Sequence, residues 1–449
     1  MLPKYILRYV LLLSKGKSSM QKFWLSRIIK KATKIEPQEL KATLLSFSFI
    51  FLLMFAYNIL KPVRDAMAPE WTDVEVAWLW TLNFLFSVIA VSLYGLAVSK
   101  LKLKNVIPGV YVFFAMSFLI FYIFSDLSSN NILVNKAFYV WLSLFSLFHI
   151  SVFWSLMSDL FSQVQASRLF AFISSGASVG TISGATFTLV LADNLGTLNL
   201  MLVASVILLL VVPLISYLKY SISEDGQHLN QEVTIGTNPF AGFIKFINNP
   251  YLLGIALFIF LYTFIGSFAY FEIKNLMMEN DRITNTEIWA AINLSVNSIS
   301  IVTAMFVTSR ITQYLGMGKT LFLVPFLVSI GLMVVFVNPI LATIIITWVL
   351  LKAGNYSITR PGREMLYTSV GREDRFKTKQ VIDIVVYRGG DVFSGWMFAF
   401  LTATLGLGMG IIAIIGTIVA LFWGYVGLRL GKRHDTTAPI TQDSIKITS

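Results

Sequence analysis

The chain has 449 residues, 56% hydrophobic and 13% charged, with 35 Lys and Arg against 23 Asp and Glu and no cysteine. This composition excludes a soluble globular domain and fits an integral membrane protein built as one helical domain. The missing cysteine removes disulfides, thiolate catalysis and cysteine metal sites. The net charge of +12 lies in alternate loops, as membrane topology demands, and so does not mark a nucleic-acid partner.

Residues 1–40 are a basic, partly apolar tail. Its apolar patch, Tyr9 to Leu13, is too short to span and is followed by no clean cleavage site, so the tail reads as cytoplasmic, with room for an interfacial amphipathic helix. Translation can start at Met1 or at Met20. A spanning helix needs about 20 apolar residues. Runs of that order fall at Ala42–Leu60, Val76–Val98, Val106–Phe124, Ala137–Leu160, Leu169–Leu191 and Leu198–Leu218. After a polar stretch they resume at Tyr251–Tyr270, Ile288–Val307, Leu321–Val337, Ile340 to about Tyr367, Val381–Leu401 and Leu407–Leu428. The reading is an all-α membrane protein of about twelve helices. It has a six-helix half at 41–220, a cytoplasmic linker at 221–250, a second half at 251–430 and a tail at 431–449.

Lys100, Lys102, Lys104, Arg168, Lys219, Lys245, Arg310, Lys319 and the Arg372 to Lys379 cluster collect on one side of these spans. The other side holds little beyond Lys136, Lys274 and Arg282, which puts both termini in the cytoplasm of a multi-pass protein of the bacterial inner membrane. The basic segments Gly95 to Asn105 and Ser309 to Lys319 follow the second helix of each half. Internal repeats of this kind point to a transporter with its site near the midplane.

Ionisable groups within spans are costly and mark pathways by default. Lys61-Pro62-Val63-Arg64-Asp65 ends the first span, and Arg360-Pro361-Gly362-Arg363-Glu364 lies late in the tenth. In each, a proline interrupts the backbone ladder, and the first cation and the acid, four apart, share a helical face. By direction of travel Lys61, Arg64 and Glu272 reach the outer mouth, and Asp159, Arg360 and Arg363 the inner one. Two charge gates follow as an expectation: Arg64 or Lys61 with Glu272 outside, and Arg360 or Arg363 with Asp159 inside. Snorkelling of these cations to headgroups is the competing explanation. The eleventh span carries Asp383, Tyr387 and Asp391 on one face, with Arg388 three residues before Asp391; substrate contact and a self-neutralising Arg388–Asp391 pair are both open. Gly176, Gly180 and Gly184, four apart, read as a close helix contact, and His149, which could relay a proton, reads as a core histidine bonded to a neighbouring backbone or hydroxyl. No Walker loop, zinc signature or nucleophile elbow is present, so no cofactor, no metal and no enzymatic activity are expected.

The segments YNILKPVRDAM, FWSLMSDLFSQVQASRLFAFISSGASVG and RPGREMLYTSVGREDRFKTKQVIDIVVYRGGDVFSG resemble the bacterial ATP/ADP translocase family of nucleotide transporters, a branch of the major facilitator fold. The resemblance runs from about Glu36 to Leu428 and implies exchange of nucleotides. It places Arg64, beside Asp65, and Arg363, before Glu364, at substrate-linked cationic positions. It also marks two departures: Tyr139 and Val140 stand where the family has an acid, and Glu272 stands near an expected lysine.

The expected function is an alternating-access carrier, a monomer in the bilayer, for an anionic solute such as a nucleotide or phosphorylated metabolite. Lys61, Arg64, Arg360, Arg363 and Arg388 would contact substrate; Asp65, Asp159, Glu272, Glu364, Asp383 and Asp391 would gate or couple. The alternatives are a proton-coupled exporter of unrelated small molecules, and a family member without transport activity.

Overall fold

The computed structural model describes residues 36, 38–100, 103–127, 132–224, 249–367 and 385–437. The amino-terminal tail to residue 35, most of the linker, the Arg372 to Lys379 cluster, Asp383 and the last twelve residues lie outside the described residues. Within them the chain is helical: α1 Leu40–Asp65, α2 Asp73–Lys100, α3 Leu103–Leu127, α4 Ile132–Leu160 and α5 Gln163–Glu224. Then come α6 Pro250–Leu276, α7 Arg282–Phe306, α8 Thr308–Val337, α9 Leu341–Gly354, α10 Arg360–Leu366, α11 Tyr387–Ala399 and α12 Met409–Thr437.

Ten of the described helices are long and apolar enough to cross a membrane. One of them, Arg168–Ser221, has 54 residues, about 80 Å of helix against a hydrocarbon thickness of about 30 Å. It breaks at Gly196, whose φ of 74° is open to glycine at little cost, so the fifth and sixth apolar runs are its two arms. Gly406, φ 62°, makes the corresponding turn between α11 and α12. Large apolar side chains such as Phe113, Ile120, Val190, Met333 and Ile418 stand exposed on the outside of the bundle, where lipid replaces water as the solvent.

Helix ends follow local chemistry. Thr72 and Glu75 form a capping box before α2, with Glu75 Oε2 accepting from Thr72 N at 2.8 Å. Asp281 caps α7 by accepting from the Thr284 N–H and hydroxyl at 2.9 and 2.8 Å, which holds its carboxyl below the usual carboxylate range. The prolines behave differently from the expectation of a broken ladder. α1 runs through Pro62 to Asp65, because only the bond toward Asn58 is lost and Ala66 N still donates to the Pro62 carbonyl at 2.9 Å. Pro361 does mark an interruption: the helix widens into a π turn, Asn355–Thr359, directly before α10.

α1 and α5 meet backbone to backbone. A Cβ on Gly176 would stand 2.7 Å from the Phe47 carbonyl oxygen and one on Gly184 2.5 Å from that of Phe55, with Gly180 as close to Phe51. The stripe therefore lets two backbones meet, as its spacing predicts. Arg168 reinforces the start of α5 by donating to both Glu39 oxygens, at 2.8 and 3.1 Å.

The buried apolar residues fall into two clusters. One holds the interior of the first half together with Phe268 to Met277, Trp289, Trp348, Phe398 and Ile412, all from the second half. The other belongs to the second half alone, with Tyr251 to Ile265, Leu321, Leu351, Leu366 and Trp423. The halves thus share a core at the end where α1 finishes, the Asp65 end. At the Leu40 end the second half keeps its own.

Replacing Gly180 by alanine is expected to force α1 off α5 and lower the melting temperature, at an overpacking cost of about 1–3 kcal/mol. Gly109→Ala, with nothing within 4 Å of the new methyl, should leave it unchanged in the same thermal melt.

Candidate functional site: the interface between the halves

At the Asp65 end the halves are joined by ion pairs. Lys274 of α6 is 1% exposed; its Nζ lies 2.8 Å from Asp73 Oδ1 at the start of α2 and donates to the Trp71 carbonyl at 2.7 Å. Asp73 Oδ2 also accepts from Thr402 Oγ1 at 2.9 Å and Asn275 Nδ2 at 3.3 Å, so one carboxylate ties α2 to α6 and to the π turn Phe400–Thr404. Arg282 makes a two-pronged bond to Glu70, at 2.7 and 2.6 Å, in a more exposed position. Aromatic rings fill the space beneath. Trp80 packs on Tyr270 and Phe271, the Tyr139 and Tyr270 hydroxyls meet at 3.0 Å, and Trp78 stands edge-on to Trp396.

Deeper in, the last two turns of α1 present two cations and one acid. Arg64 donates through Nε to Asp65 Oδ1 at 2.9 Å and through Nη1 to Ser143 of α4 at 3.0 Å, with its guanidinium 5.2 Å from the centre of the Tyr139 ring. Lys61 donates to Asp65 Oδ2 at 3.1 Å and across the interface to Asn293 Oδ1 of α7 at 2.8 Å. Asp65 is buried and carries both cations. From the second half, Arg388 of α11 reaches Ser146 of α4 at 3.4 Å, with Asp391 4.0 Å away; Asp391 also feels the charges of Lys352 and Arg64. Between the halves, Lys61 and Arg64 thus meet Asp65, and Arg388 lies beside Asp391, with Lys352 in electrostatic reach of Asp391.

Neither expected gate, each meant to close one mouth in turn, is formed in this arrangement. Lys61 and Arg64 pair with Asp65 on their own helix and not with Glu272, because a carboxylate one turn from the lysine and next to the arginine is reached with little loss of side-chain freedom. Glu272 instead lines an apolar cavity with Phe268, Leu332, Val335, Ile344 and Ile412, where its Oε1 has no hydrogen-bond partner among the described residues. No ion pair joins Asp159 to Arg360 or Arg363: Asp159 is half-buried within electrostatic reach of Lys219, Arg360 is exposed, and Arg363 lies 3.8 Å from Glu364. His149 donates through Nδ1 to the Phe145 carbonyl at 3.2 Å and stacks on Tyr57, but its buried Nε2 has no hydrogen-bond partner among the described residues, so the expected core histidine is only half satisfied. Asp383 lies outside the described residues.

Sequence reasoning missed three parts of this interface. Lys274 and Arg282 read as sparse loop charges, and Asp73 and Glu70 drew no attention, although a capping box and a cluster of acids directly after α1 mark the segment opposite them. Lys352, inside the tenth apolar run, was passed over beside the arginines that follow it.

Removing one member of the Asp73–Lys274 pair strands a buried charge, at a cost of about 3–5 kcal/mol, whereas neutralising both leaves none. Lys274→Met is therefore expected to open the Asp65 end, and Asp73→Asn combined with Lys274→Met to close it again. The chain has no cysteine, so a single Ser143→Cys reports the change without background: maleimide labelling should be faster in the single variant and return toward wild type in the double.

The comparisons with known proteins fit this architecture. The Major Facilitator Superfamily, by its family model, matches residues 44–363. No curated protein matches the chain. A bacterial homologue of the iron transporter ferroportin, in an inward-facing state, superposes with a TM-score of 0.63 at 10% identity, over 89% of this chain and 100% of that one. A bacterial homologue of the human lysosomal transporter Spinster gives 0.55 at 14% identity in its inward-facing unoccupied form, over 90% of this chain and 96% of that one. Its inward-facing occupied form gives 0.57 at 12%, over 90% and 98%. At these identities the likeness concerns the fold alone. The family match does not single out the nucleotide-transporter branch that the motifs resemble. With most of its length inside the match and both halves folded as helical bundles around a charged interface, the chain belongs to the Major Facilitator Superfamily of membrane transporters.

Proposed function

We propose that the protein is an alternating-access carrier for an anionic solute, with its binding site between the halves. The observation that carries this reading is the sharing of one buried carboxylate, Asp65, by Lys61 and Arg64, while Lys61 also reaches the opposite half. One positive charge remains uncompensated in a low-dielectric setting, where phosphate or carboxylate oxygens form strong charge-assisted bonds. Arg388 adds a donor from the other half, and Arg363, with Arg360 and Glu364, lies toward the Leu40 end as a way station. Counting the two arms of α5 and including α11, the chain would cross the bilayer twelve times. Its two six-helix halves would have the linker and both termini in the cytoplasm of a bacterial inner membrane, as a monomer. The shared core and the Asp73–Lys274 and Glu70–Arg282 pairs then seal the outer face, leaving the site open inward.

The motifs around Arg64 and Arg363 favour a nucleotide, exchanged for another, or a phosphorylated metabolite. One feature favours a second reading: Glu272, buried in an apolar cavity with an unbonded oxygen, is a place for a proton, which a proton-coupled exporter requires.

Thermal stabilisation of the purified protein against nucleotides, phosphorylated sugars and inorganic anions decides between them. A ligand at about 100 times its Kd adds about 2.7 kcal/mol to the native state. A nucleotide is expected to raise the melting temperature of wild type and not of Arg64→Ala. If no anion raises it while acidification does, the proton-coupled reading replaces this one.

A further inference from the structure

Lys352 lies near the middle of the Leu341–Leu366 span, roughly 16 Å of helix from one end and 21 Å from the other, further than its four-carbon stem reaches. It cannot snorkel to headgroups, and among the described residues no carboxylate forms an ion pair with it. A lysine at that depth is expensive and retained for use. Its ammonium stands 4.4 Å from the centre of the Trp348 ring and 5.1 Å from that of Tyr262, and donates to the Tyr262 hydroxyl at 3.3 Å. Ring faces position a cation without using up its three N–H donors. On the α6 side the neighbour is Gly266, where a methyl group would touch Nζ at 3.4 Å. The π turn Asn355–Thr359 begins three residues later, a widening often found at functional sites. Asp391, the carboxylate in electrostatic reach, already has Arg388 4.0 Å away.

We infer that Lys352 is a second anion-receiving point of the carrier, on the half opposite Lys61 and Arg64, which takes a carboxylate or phosphate oxygen of the solute. The inference rests on the reading of the chain as an anion carrier and narrows its substrate class. The solute is an elongated anion with charge at two separated points, one met by the α1 cations and one by Lys352, with Asp391 in electrostatic reach of both Lys352 and Arg64. The aromatic pair holds the ammonium in place before the solute arrives, so little side-chain freedom is lost on binding.

The test is isothermal titration of the full-length protein in detergent with ATP, ADP, glucose 6-phosphate and citrate. For any anion that binds wild type, Lys352→Met should weaken Kd by about 10- to 100-fold, the loss of one hydrogen bond to a charged group. Lys352→Arg should keep Kd within a few-fold. Gly266→Ala, which narrows the approach to Nζ without removing charge, should weaken Kd at an unchanged melting temperature and serves if Lys352→Met does not fold. Losses from Lys61→Met and Lys352→Met should multiply in the double variant, as separate contacts do. An anion that binds wild type and Lys352→Met with equal Kd overturns the role of Lys352 and leaves the anion carrier standing. A double variant no weaker than the worse single one overturns the two-point solute. If none of the four binds wild type, the carrier reading and this inference fall together.

Discussion

A buried ion pair between Lys274 and Asp73 is the constraint on which the observed arrangement depends. The lysine is almost wholly enclosed, and its charge is met by one carboxylate and one backbone carbonyl, both from the other half of the molecule. Removing two charges from water is costly, and the attraction repays it only when the remaining lone pairs and protons are also satisfied. Here Thr402 and Asn275 supply the missing donors to Asp73, so three chain segments must be in register before the pair is stable. That condition suits a contact meant to form and break as a unit. The shared apolar core beneath it adds non-directional attraction, and the ion pair selects the single docking geometry in which that attraction is used.

Beneath this seal the charges are arranged by proximity along helices more than by complementarity between halves. Asp65 serves Lys61 four residues before it and Arg64 next to it. Asp391 lies near Arg388, three residues before it. Across the interface the bonds go to neutral groups instead, Lys61 to Asn293 and Arg388 to Ser146. Bonds from a cation to an amide or hydroxyl hold the halves more weakly than ion pairs would, and the cations stay available to a charged solute. Strong links near the surface and exchangeable ones in the middle are what a carrier of this fold needs if its centre is to be a binding site.

How much of this was legible in the sequence depends on the range of the interaction. The helices are set by apolar runs of bilayer length, and every helix from α1 to α12 overlaps one of those runs, though α9 and α10 share the tenth and α8 starts at Thr308, thirteen residues before the run at Leu321; the arms of α5 separate at a glycine that the run boundaries at Leu191 and Leu198 already bracket. The glycine stripe is equally readable, since spacing four on a helix puts Gly176, Gly180 and Gly184 on one side whatever they meet. Partnership between distant segments is different. Glu272 and Arg64 arrive at the same end of the bundle, yet depth says nothing about azimuth, and Glu272 faces α8, α9 and α12 while Arg64 faces α4. Lys274, two residues further along the same helix, points to the other half, a rotation of about 200° that no count of charges reveals. Lys352 was hidden for another reason: a lone cation in an apolar run has no sequence partner, and its partners are ring faces from α6 and its own preceding turn.

The unequal cores have a consequence for water. Where the first core joins the halves, buried apolar side chains leave only the small cavity beside Glu272, while at the Leu40 end the second half closes on its own core. An alternating-access cycle would move a body of water as well as two bundles of helices. Water activity is then a thermodynamic ligand of the transition. An osmolyte too large to enter between the halves will favour whichever state encloses fewer waters, and the slope of that dependence counts the molecules displaced in each cycle.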